Sequence, residues 1–258
     1  MLSIADINQR LNRASKEEFA VLERSLCADT RKGVVAALER TRRRFKQIEA
    51  EELRLEQLYA FEEGLAEGGL ILGLDEVGRG PLAGPLAVGA VVLPRAPRIA
   101  GLDDSKKVPE HERGAIAGQV KTHALAWAVE YIEADEIDAA GMALSLRMAF
   151  SRAIRSIEAA GVMPDVILLD GNPLHLDARE LNVVKGDARC ASIAAASLVA
   201  KSERDALMCH YALEYPAYGF EKCKGYASPQ HREAIRLHGL CPLHRRSFCS
   251  EYLQESLF

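Results

Sequence analysis

The sequence contains no hydrophobic run long enough to cross a lipid bilayer. Apolar stretches such as residues 70–74 and 88–93 have the length of single β-strands, whereas a membrane-spanning helix needs about 20 apolar residues. The first ten residues carry charges early and lack the apolar core of a secretory signal. We therefore expect no membrane partner and a cytoplasmic location.

Cysteine pairs in a C-x-x-C arrangement are also absent, although the chain has six cysteines. Scattered cysteines in a chain of this length without a secretory signal indicate free thiols rather than a disulfide framework. Cys241 and His244 have a spacing that a zinc site could use. A structural zinc ion needs a full tetrahedral ligand set, and no second ligand pair lies nearby, so we assign no metal to these two residues.

An excess of positive charge is missing as well, because the 258 residues carry a net charge of -4. This excludes a strongly basic coat for nucleic acid. It does not exclude nucleic-acid binding, which depends on where the positive charge lies. Carboxylates clustered in a metal site also lower the net charge without removing a basic surface elsewhere. The chain has no internal repeat, and its length suffices for one mixed domain with a small appendage.

Residues 1–69 are predicted to form a helical N-terminal extension. Arginine, glutamate, alanine and leucine dominate this segment, and apolar residues recur at approximately the spacing of one helical face. A short basic run at residues 42–44 is as compatible with a solvated helix surface as with nucleic-acid contact. Glycines at the end of the segment indicate a boundary, so that residues 70–258 form a second domain.

The second domain is predicted to have an α/β fold. Its first two strands are separated by a Gly/Pro-rich turn, which favours antiparallel pairing, and its later strands are joined through helices, which favours parallel pairing. The outcome is a mixed five-stranded sheet flanked by helices, followed from about residue 218 by a helical, loop-rich and basic segment. The predicted strands begin at residue 70 and cover residues 86–94, 125–132, 165–170 and 181–185; the predicted helices begin near residue 109 and cover residues 134–161 and 188–215.

Two adjacent acids, Asp75 and Glu76, directly follow the first apolar run. Burying two carboxylates without compensation is costly, so we expect a cation beside them. Arg79 could supply it in a structural ion pair, and a divalent metal ion is the alternative. Neighbouring strand residues point to opposite faces, so both carboxylates reach one site only if the strand twists or ends there. Gly78 and Gly80 allow such a distortion.

Two further acids, Asp170 and Asp187, also lie at the ends of predicted secondary-structure elements. Asp170 ends a second buried strand, although Asp-Gly is also an ordinary turn signal. Asp187 precedes the alanine-rich helix, where it could equally be an N-cap. Active sites of open α/β sheets gather where strand ends meet. Together with the first pair, these acids form an oxygen-rich, nitrogen-poor set that suits Mg²⁺ or Mn²⁺ better than zinc. Carboxylates that hold two such ions support in-line phosphoryl displacement.

A glycine-rich turn and a lysine-containing loop are candidates for phosphate contact. The turn GRGPLAGP lets a backbone approach a phosphate closely, or it serves folding alone. The loop DDSKKVP precedes a predicted helix and suits backbone phosphates, although a plain polar loop is equally possible. The candidate residues are Gly78, Arg79 and Gly80 in the turn, and Ser105, Lys106 and Lys107 in the loop.

A third candidate for substrate contact is Tyr226. Between residues 222 and 246, six Lys or Arg residues face a single acid, Glu233. Basic residues interleaved with an aromatic ring are typical of a nucleic-acid surface, where the ring stacks on a sugar or base. We therefore predict a local basic patch in an otherwise acidic protein.

Six segments of the chain, in this order, resemble the bacterial ribonuclease HII family, and the likeness covers residues 70–248. The agreement of six separate segments in order and approximate spacing makes the resemblance specific. It implies a ribonuclease H-like fold, and the helical N-terminal extension is similar to that of some members. The segments are DEVGRGPLAGP, DDSKKV, LLDGNPL, VKGDARCASIAAASLVAKSERD, YGFEKCKGYAS and LHRRSF.

The resemblance implies an endonuclease that hydrolyses the RNA strand of RNA/DNA hybrids and cuts on the 5′ side of single ribonucleotides embedded in duplex DNA. Its products would carry a 3′-hydroxyl and a 5′-phosphate, and its cofactor would be Mg²⁺ or Mn²⁺. The family's metal-binding acids fall on Asp75, Glu76, Asp170 and Asp187.

Substrate recognition is implied by the resemblance as well. The Gly-Arg-Gly that reads the ribose 2′-hydroxyl, the group that separates RNA from DNA, falls on residues 78–80. The tyrosine that packs against the neighbouring deoxyribose falls on Tyr226. The family pattern often continues with Gly-Thr where this chain has Ala227 and Ser228, and serine keeps the hydroxyl.

The sequence leaves two alternatives. A DNA-directed nuclease or resolvase of the same fold would bind similar metals without needing a 2′-hydroxyl. A non-catalytic hybrid-binding protein would keep the fold without the chemistry, but the intact set of four acids disfavours it. The predicted partners are RNA/DNA hybrids and duplex DNA containing ribonucleotides, bound by a monomer.

Overall fold

A computed structural model describes residues 2–66 and 68–254. The chain divides into two compact units, Met1–Glu56 and Gln57–Phe258. The boundary falls inside a long helix, and the division at residue 69 stays a prediction. All six cysteines lie in the described ranges and are unpaired, as expected. Within those ranges, no helix combines the length and the apolar character that a bilayer requires.

The first unit is helical, as predicted. It contains α1 (Ile4–Arg13), α2 (Lys16–Leu26) and most of α3 (Lys32–Ala66). Ser3 and Ser15 begin α1 and α2 with capping boxes. In each, the serine hydroxyl accepts the backbone N–H of an acid three residues later, and the carboxylate of that acid accepts the backbone N–H of the serine. Apolar side chains from the three helices form a small core, which includes Ile7, Leu11, Phe19, Val34 and Leu38.

The basic run at residues 42–44 makes contacts within the first unit. Arg42 pairs with Glu23, and Arg43 lies 3.8 Å from Glu39. Arg44 donates to backbone carbonyls at the end of α1, at 2.6 and 3.1 Å. These contacts favour a structural role for the run, because its guanidinium groups already have partners.

The second unit is built on a five-stranded sheet in the order β3-β2-β1-β4-β5. The pairs β1–β2 and β2–β3 are antiparallel, whereas β1–β4 and β4–β5 are parallel. This mixed sheet confirms the predicted fold class, including the antiparallel start and the parallel crossovers. The strands are β1 (Ile71–Val77), β2 (Leu86–Val92), β3 (Ala126–Ile132), β4 (Val166–Asp170) and β5 (Glu180–Val183).

Helices flank this sheet and continue into the C-terminal segment. One prediction was wrong: residues 134–161 do not form one long helix, because Gly141 separates two helices with a φ of 75°. Such a backbone conformation ends a helix and is readily adopted only by glycine. The helices are α4 (Glu110–His123), α5 (Ala134–Ala140), α6 (Met142–Ala159), α7 (Ala191–Glu214), α8 (Phe220–Cys223), α9 (Pro229–His238) and α10 (Ser250–Gln254).

The two faces of the sheet contact different helices. Leu72 and Leu74 belong to the main core with side chains of α6, and the alternation along a strand turns Gly73 to the opposite face. There α7 lies directly on the sheet, since a Cβ on Gly73 would be only 2.1 Å from the backbone carbon of Ser192. The same close approach occurs at Gly89. Asp75 shares this face, so residues of α7 lie beside it.

The N-terminus of α7 is capped from outside the helix. Glu62 is buried and accepts hydrogen bonds from the backbone N–H and the hydroxyl of Ser192, both at 2.8 Å. Burial raises the pKa of Glu62 to about 7. The N-cap residue is Cys190, and Asp187 lies in a separate 3₁₀ turn, Gly186–Ala188. The N-cap alternative for Asp187 is therefore wrong.

The predicted basic patch at residues 222–246 is only partly a surface. Lys224 and Arg245 are buried. Arg232 pairs with Glu251 at 3.3 Å, and Arg236 pairs with an acid one turn earlier in α9. The predicted patch therefore contains fewer than the six cations counted in the sequence, because composition alone does not show which cations lie inside the fold.

Candidate active site

Three segments that are distant in sequence bring four acids to one end of the sheet. β1 and β4 are parallel neighbours paired through Leu74 and Leu169, so Asp75 and Asp170 each follow a paired residue. The backbone N–H of Gly186 donates to Oδ1 of Asp170 at 2.7 Å and thereby attaches the turn that carries Asp187. Glu76 follows Asp75 in β1.

The acids lie close enough together for their charges to raise pKa values within the group. Burial raises the pKa of Asp75 to about 8, a hydrogen bond from Ser197 opposes this, and the charges of Glu76, Asp170 and Asp187 add to it. Burial also raises the pKa of Glu76, with Asp170 contributing and Arg79 opposing. Burial is again the largest cause of the raised pKa of Asp187, followed by neighbouring carboxylates. Neighbouring carboxylates thus make Asp75, Glu76 and Asp187 harder to ionise, which a bound cation would relieve.

The carboxylates contact partners within the protein. Glu76 pairs with Arg79 at 3.2 Å, so the ion pair considered from the sequence is present for this acid. Asp187 lies 3.9 Å from the ammonium group of Lys106. Among the described residues, no group of three or more Asp, Glu, His or Cys side chains is arranged to hold a metal ion. The donor set fits a hard cation in chemistry, and binding would require Glu76 and Asp187 to exchange Arg79 and Lys106 for that ion.

A fifth acid, Asp104, was missed by reasoning from the sequence. Its carboxylate contributes to the raised pKa of Asp187, and its Oδ1 accepts the backbone N–H of Lys106 at 2.9 Å. Ser105, next to it, is buried with its hydroxyl 2.9 Å from that of Ser197. The signal for Asp104 in the sequence is its position in DDSKKV, directly before the serine and lysines predicted to contact phosphate.

The two predicted phosphate-contacting lysines have different surroundings. Burial lowers the pKa of Lys106, but the carboxylates of Asp104, Asp187, Asp75 and Asp170 outweigh this, and the net shift is upward. Its side chain remains 84% exposed at the edge of the acidic cluster. Lys107 instead lies 3.3 Å from Asp103. Lys106 is therefore the lysine of this loop that lies closest to the candidate chemistry.

Backbone hydrogen bonds join the glycine-rich turn to the segment that contains Gly225 and Tyr226, called the Tyr226 segment below. Gly225 accepts hydrogen bonds from the backbone N–H groups of Leu82 at 2.9 Å and Ala83 at 3.3 Å. The side chains of Arg79 and Tyr226 are exposed, as substrate contact requires. The two segments predicted to contact substrate thus form one surface.

Two buried histidines lie beneath this surface. Nδ1 of His231 is 2.8 Å from the carbonyl oxygen of Tyr226, and Nε2 is 3.1 Å from Nε2 of His244. Nδ1 of His244 accepts the backbone N–H of Cys241 at 3.0 Å. One assignment of protons satisfies all three contacts: His244 donates from Nε2 and His231 donates from Nδ1, with both rings neutral. Burial lowers the pKa of both, that of His244 to about 4, with His231 adding to the effect.

This pair should make stability depend on pH. The folded-state pKa of His244, about 4, lies below the ordinary histidine value of 6.5, so between these pH values the unfolded chain binds a proton that the folded chain does not. The stabilisation is complete above pH 6.5 and is lost as the pH falls towards 4, by up to about 3 kcal/mol. Free energies of unfolding measured at pH 7, 6 and 5 should fall less steeply in His244→Gln than in the wild type. Parallel profiles would contradict the assignment.

Known families match both units. A family model described as Ribonuclease HII matches residues 72–251, and one described as Ribonuclease HII N-terminal domain matches residues 3–66.

Solved structures share the fold at low identity. Ribonuclease H2 from Pyrococcus horikoshii OT3 is 24% identical with a TM-score of 0.62, over 72% of this chain and 98% of the other. RNase HII in the PCNA:RNase HII complex from Archaeoglobus fulgidus is 23% identical with a TM-score of 0.59, over 68% and 93%. Bst-RNase HIII in complex with Mn²⁺ is 20% identical with a TM-score of 0.59, over 80% and 74%. Because the first family match covers most of the sequence, the chain belongs to the ribonuclease HII family, whose members are endoribonucleases that depend on divalent metal ions and act on RNA/DNA hybrids.

Proposed function

We propose that this protein cuts the RNA strand of RNA/DNA hybrids and also cuts on the 5′ side of single ribonucleotides embedded in duplex DNA, leaving a 3′-hydroxyl and a 5′-phosphate. One observation carries the proposal: the parallel pairing of β1 with β4, and the hydrogen bond from Gly186 to Asp170, bring four acids from three segments to one end of the sheet, where Glu76 pairs with Arg79 of the glycine-rich turn. Chemistry on a phosphate and recognition of a sugar would then take place side by side.

Asp75, Glu76, Asp170 and Asp187 would hold Mg²⁺ or Mn²⁺. Two bound ions would supply an activated water and stabilisation of the leaving oxygen. The Mn²⁺ complex of Bst-RNase HIII, a protein of the same fold, supports this choice of ion. No neutral histidine is then needed as a general base, and the two buried histidines are engaged elsewhere.

The remaining residues would bind and orient the substrate. Residues 78–80 would present backbone N–H groups to the ribose 2′-hydroxyl and its phosphate. Tyr226, 44% exposed, would pack against the adjacent deoxyribose. Lys106 would contact a backbone phosphate next to the acids, and Ser105, through Ser197, would help to fix Asp75. All these groups come from a single chain, which supports action as a monomer.

A duplex DNA that carries one ribonucleotide, compared with an all-DNA duplex of the same sequence, tests the proposal. With Mg²⁺ or Mn²⁺, we expect a single cut at the phosphate 5′ to the ribonucleotide and no cut in the all-DNA duplex. End-group analysis should show a 3′-hydroxyl and a 5′-phosphate. Cutting of both duplexes would indicate a DNA nuclease or resolvase, and binding without any cutting would indicate a hybrid-binding protein; either result rejects the proposal.

A further inference from the structure

Two arginines, Arg204 and Arg245, are fully buried, each 0% exposed. In the described part of the chain, the hydrogen-bond partners of both guanidinium groups are backbone carbonyl oxygens rather than carboxylates. Burial lowers the pKa of both, that of Arg245 to about 10, and the charge of Arg204 contributes to the latter. Burying a cation without an anionic partner is unfavourable, so a role that offsets this cost is expected.

Arg245 binds the backbone of the glycine-rich turn from the interior of the protein. Its Nη2 donates to the carbonyl of Gly78 at 2.6 Å, and its Nη1 donates to the carbonyl of Arg79 at 3.0 Å. Its Nε and Nη2 also donate to the carbonyl of Gly84, at 3.0 and 2.8 Å. The planar fork of one side chain therefore fixes two consecutive peptide groups at the start of the turn and one at its end.

Fixing these carbonyls also fixes the N–H groups of the same peptides. The peptide bonds on both sides of Arg79 are trans, because the one cis bond among the described residues is Ala96-Pro97. In a trans peptide the N–H points away from the C=O. The N–H groups of Arg79 and Gly80 therefore point away from the buried guanidinium of Arg245. Among the described residues, neither N–H donates to a protein acceptor.

Arg204 connects the turn to the Tyr226 segment. It donates to the carbonyls of Pro85 at 2.8 Å and Ala83 at 3.4 Å, and to that of Lys224 at 3.0 Å. The packing is tight: a Cβ on Gly225 would be 2.0 Å from the carbonyl oxygen of Ala83. The turn and the segment before Tyr226 are thus held as one rigid surface.

We propose that Arg245, supported by Arg204, is a positioning residue for recognition of the 2′-hydroxyl. By binding the carbonyls of Gly78 and Arg79, it directs two adjacent backbone N–H donors towards the ribose and its phosphate without touching the substrate. This inference rests on the proposed function. It adds that selection for ribose depends on a guanidinium buried behind the turn.

The test is the variant Arg245→Met, which removes the guanidinium and keeps an apolar side chain. We would measure kcat and KM on the duplex with one ribonucleotide, and the inhibition constant of the all-DNA duplex as a competitor. The KM should rise about 30-fold, the value of two hydrogen bonds of ordinary strength, while the inhibition constant changes little and kcat falls less. The ratio of the inhibition constant of the all-DNA duplex to the KM of the duplex with one ribonucleotide should therefore drop.

The matched control is Arg179→Met. Arg179 pairs with Asp177 and Glu158, away from the turn, so its loss should lower stability and leave the ratio of constants unchanged. An unchanged ratio in folded Arg245→Met overturns the inference. If that variant does not fold, Arg245→Lys keeps the charge but cannot bind both carbonyls as a fork, and an unchanged ratio there overturns it equally. A wild type that does not distinguish the two duplexes instead rejects the proposed function.

Discussion

Replacing Asp170 with asparagine should lower the rate of cutting at a ribonucleotide by more than about 100-fold. Even the loss of a residue that only contacts a metal ligand lowers metal affinity or activity by about 10- to 100-fold. The substitution removes the charge needed to hold a divalent ion and keeps the size of the side chain. The fold should remain, since the amide oxygen of asparagine can still accept the hydrogen bond that Gly186 donates to Oδ1. Rates and thermal unfolding measured on the same preparation check both parts.

Asp165→Asn is the matched control, because it makes the same chemical change at the other end of β4. Asp165 accepts the backbone N–H of Leu70 at 2.7 Å, and asparagine can do the same. Cutting by this variant should stay near the wild-type rate. Normal cutting by Asp170→Asn, or equal losses in both variants, would show that Asp170 has no special place in the chemistry.

Gly73→Ala should destabilise the protein by about 3 kcal/mol, at the upper end of the range for added volume in a packed core. The new Cβ would lie 2.1 Å from the backbone carbon of Ser192 and 2.4 Å from the backbone nitrogen of Ile193. Backbone atoms cannot move aside as a flexible side chain can, so α7 must shift as a whole. That shift would separate Ser197 from Asp75, and cutting should weaken as well. Urea unfolding measures the first effect.

The control for this variant is Gly118→Ala on the exposed side of α4. A Cβ at Gly118 meets no atom within 4 Å, and alanine favours a helix over glycine by about 1 kcal/mol. This variant should be as stable as the wild type or more stable. A Gly73→Ala protein of wild-type stability would mean that α7 does not lie directly on β1.

The strands and the positions of the acids were accessible from the sequence because both depend on local pattern. Short apolar runs between turns predicted the five strands, and Asp170 ends its strand as predicted. Asp75 and Glu76 do not, because β1 continues to Val77. The parallel pairing of β1 and β4 then places Asp75 and Asp170 side by side. The break of the helical stretch at Gly141 was missed because its composition is helical on both sides, and one glycine inside a helix is often tolerated.

Contacts between distant segments could not be predicted in this way. The sequence places Arg245 in a basic run, but only the fold shows that its guanidinium is enclosed by carbonyls of a turn 161 to 167 residues earlier. Asp104 is equally inconspicuous until its loop is packed against the turn that carries Asp187. Such roles depend on tertiary geometry, which neither composition nor spacing records.

Binding of Mn²⁺ by the wild type and by Asp170→Asn tests the central claim most directly, namely that carboxylates from separate strands jointly bind a hard cation. Free Mn²⁺ would be followed by electron paramagnetic resonance during titration, with Asp165→Asn alongside. The account predicts binding by the wild type and Asp165→Asn and a large loss in Asp170→Asn. Equal binding by all three proteins, or no binding by the wild type, would contradict it.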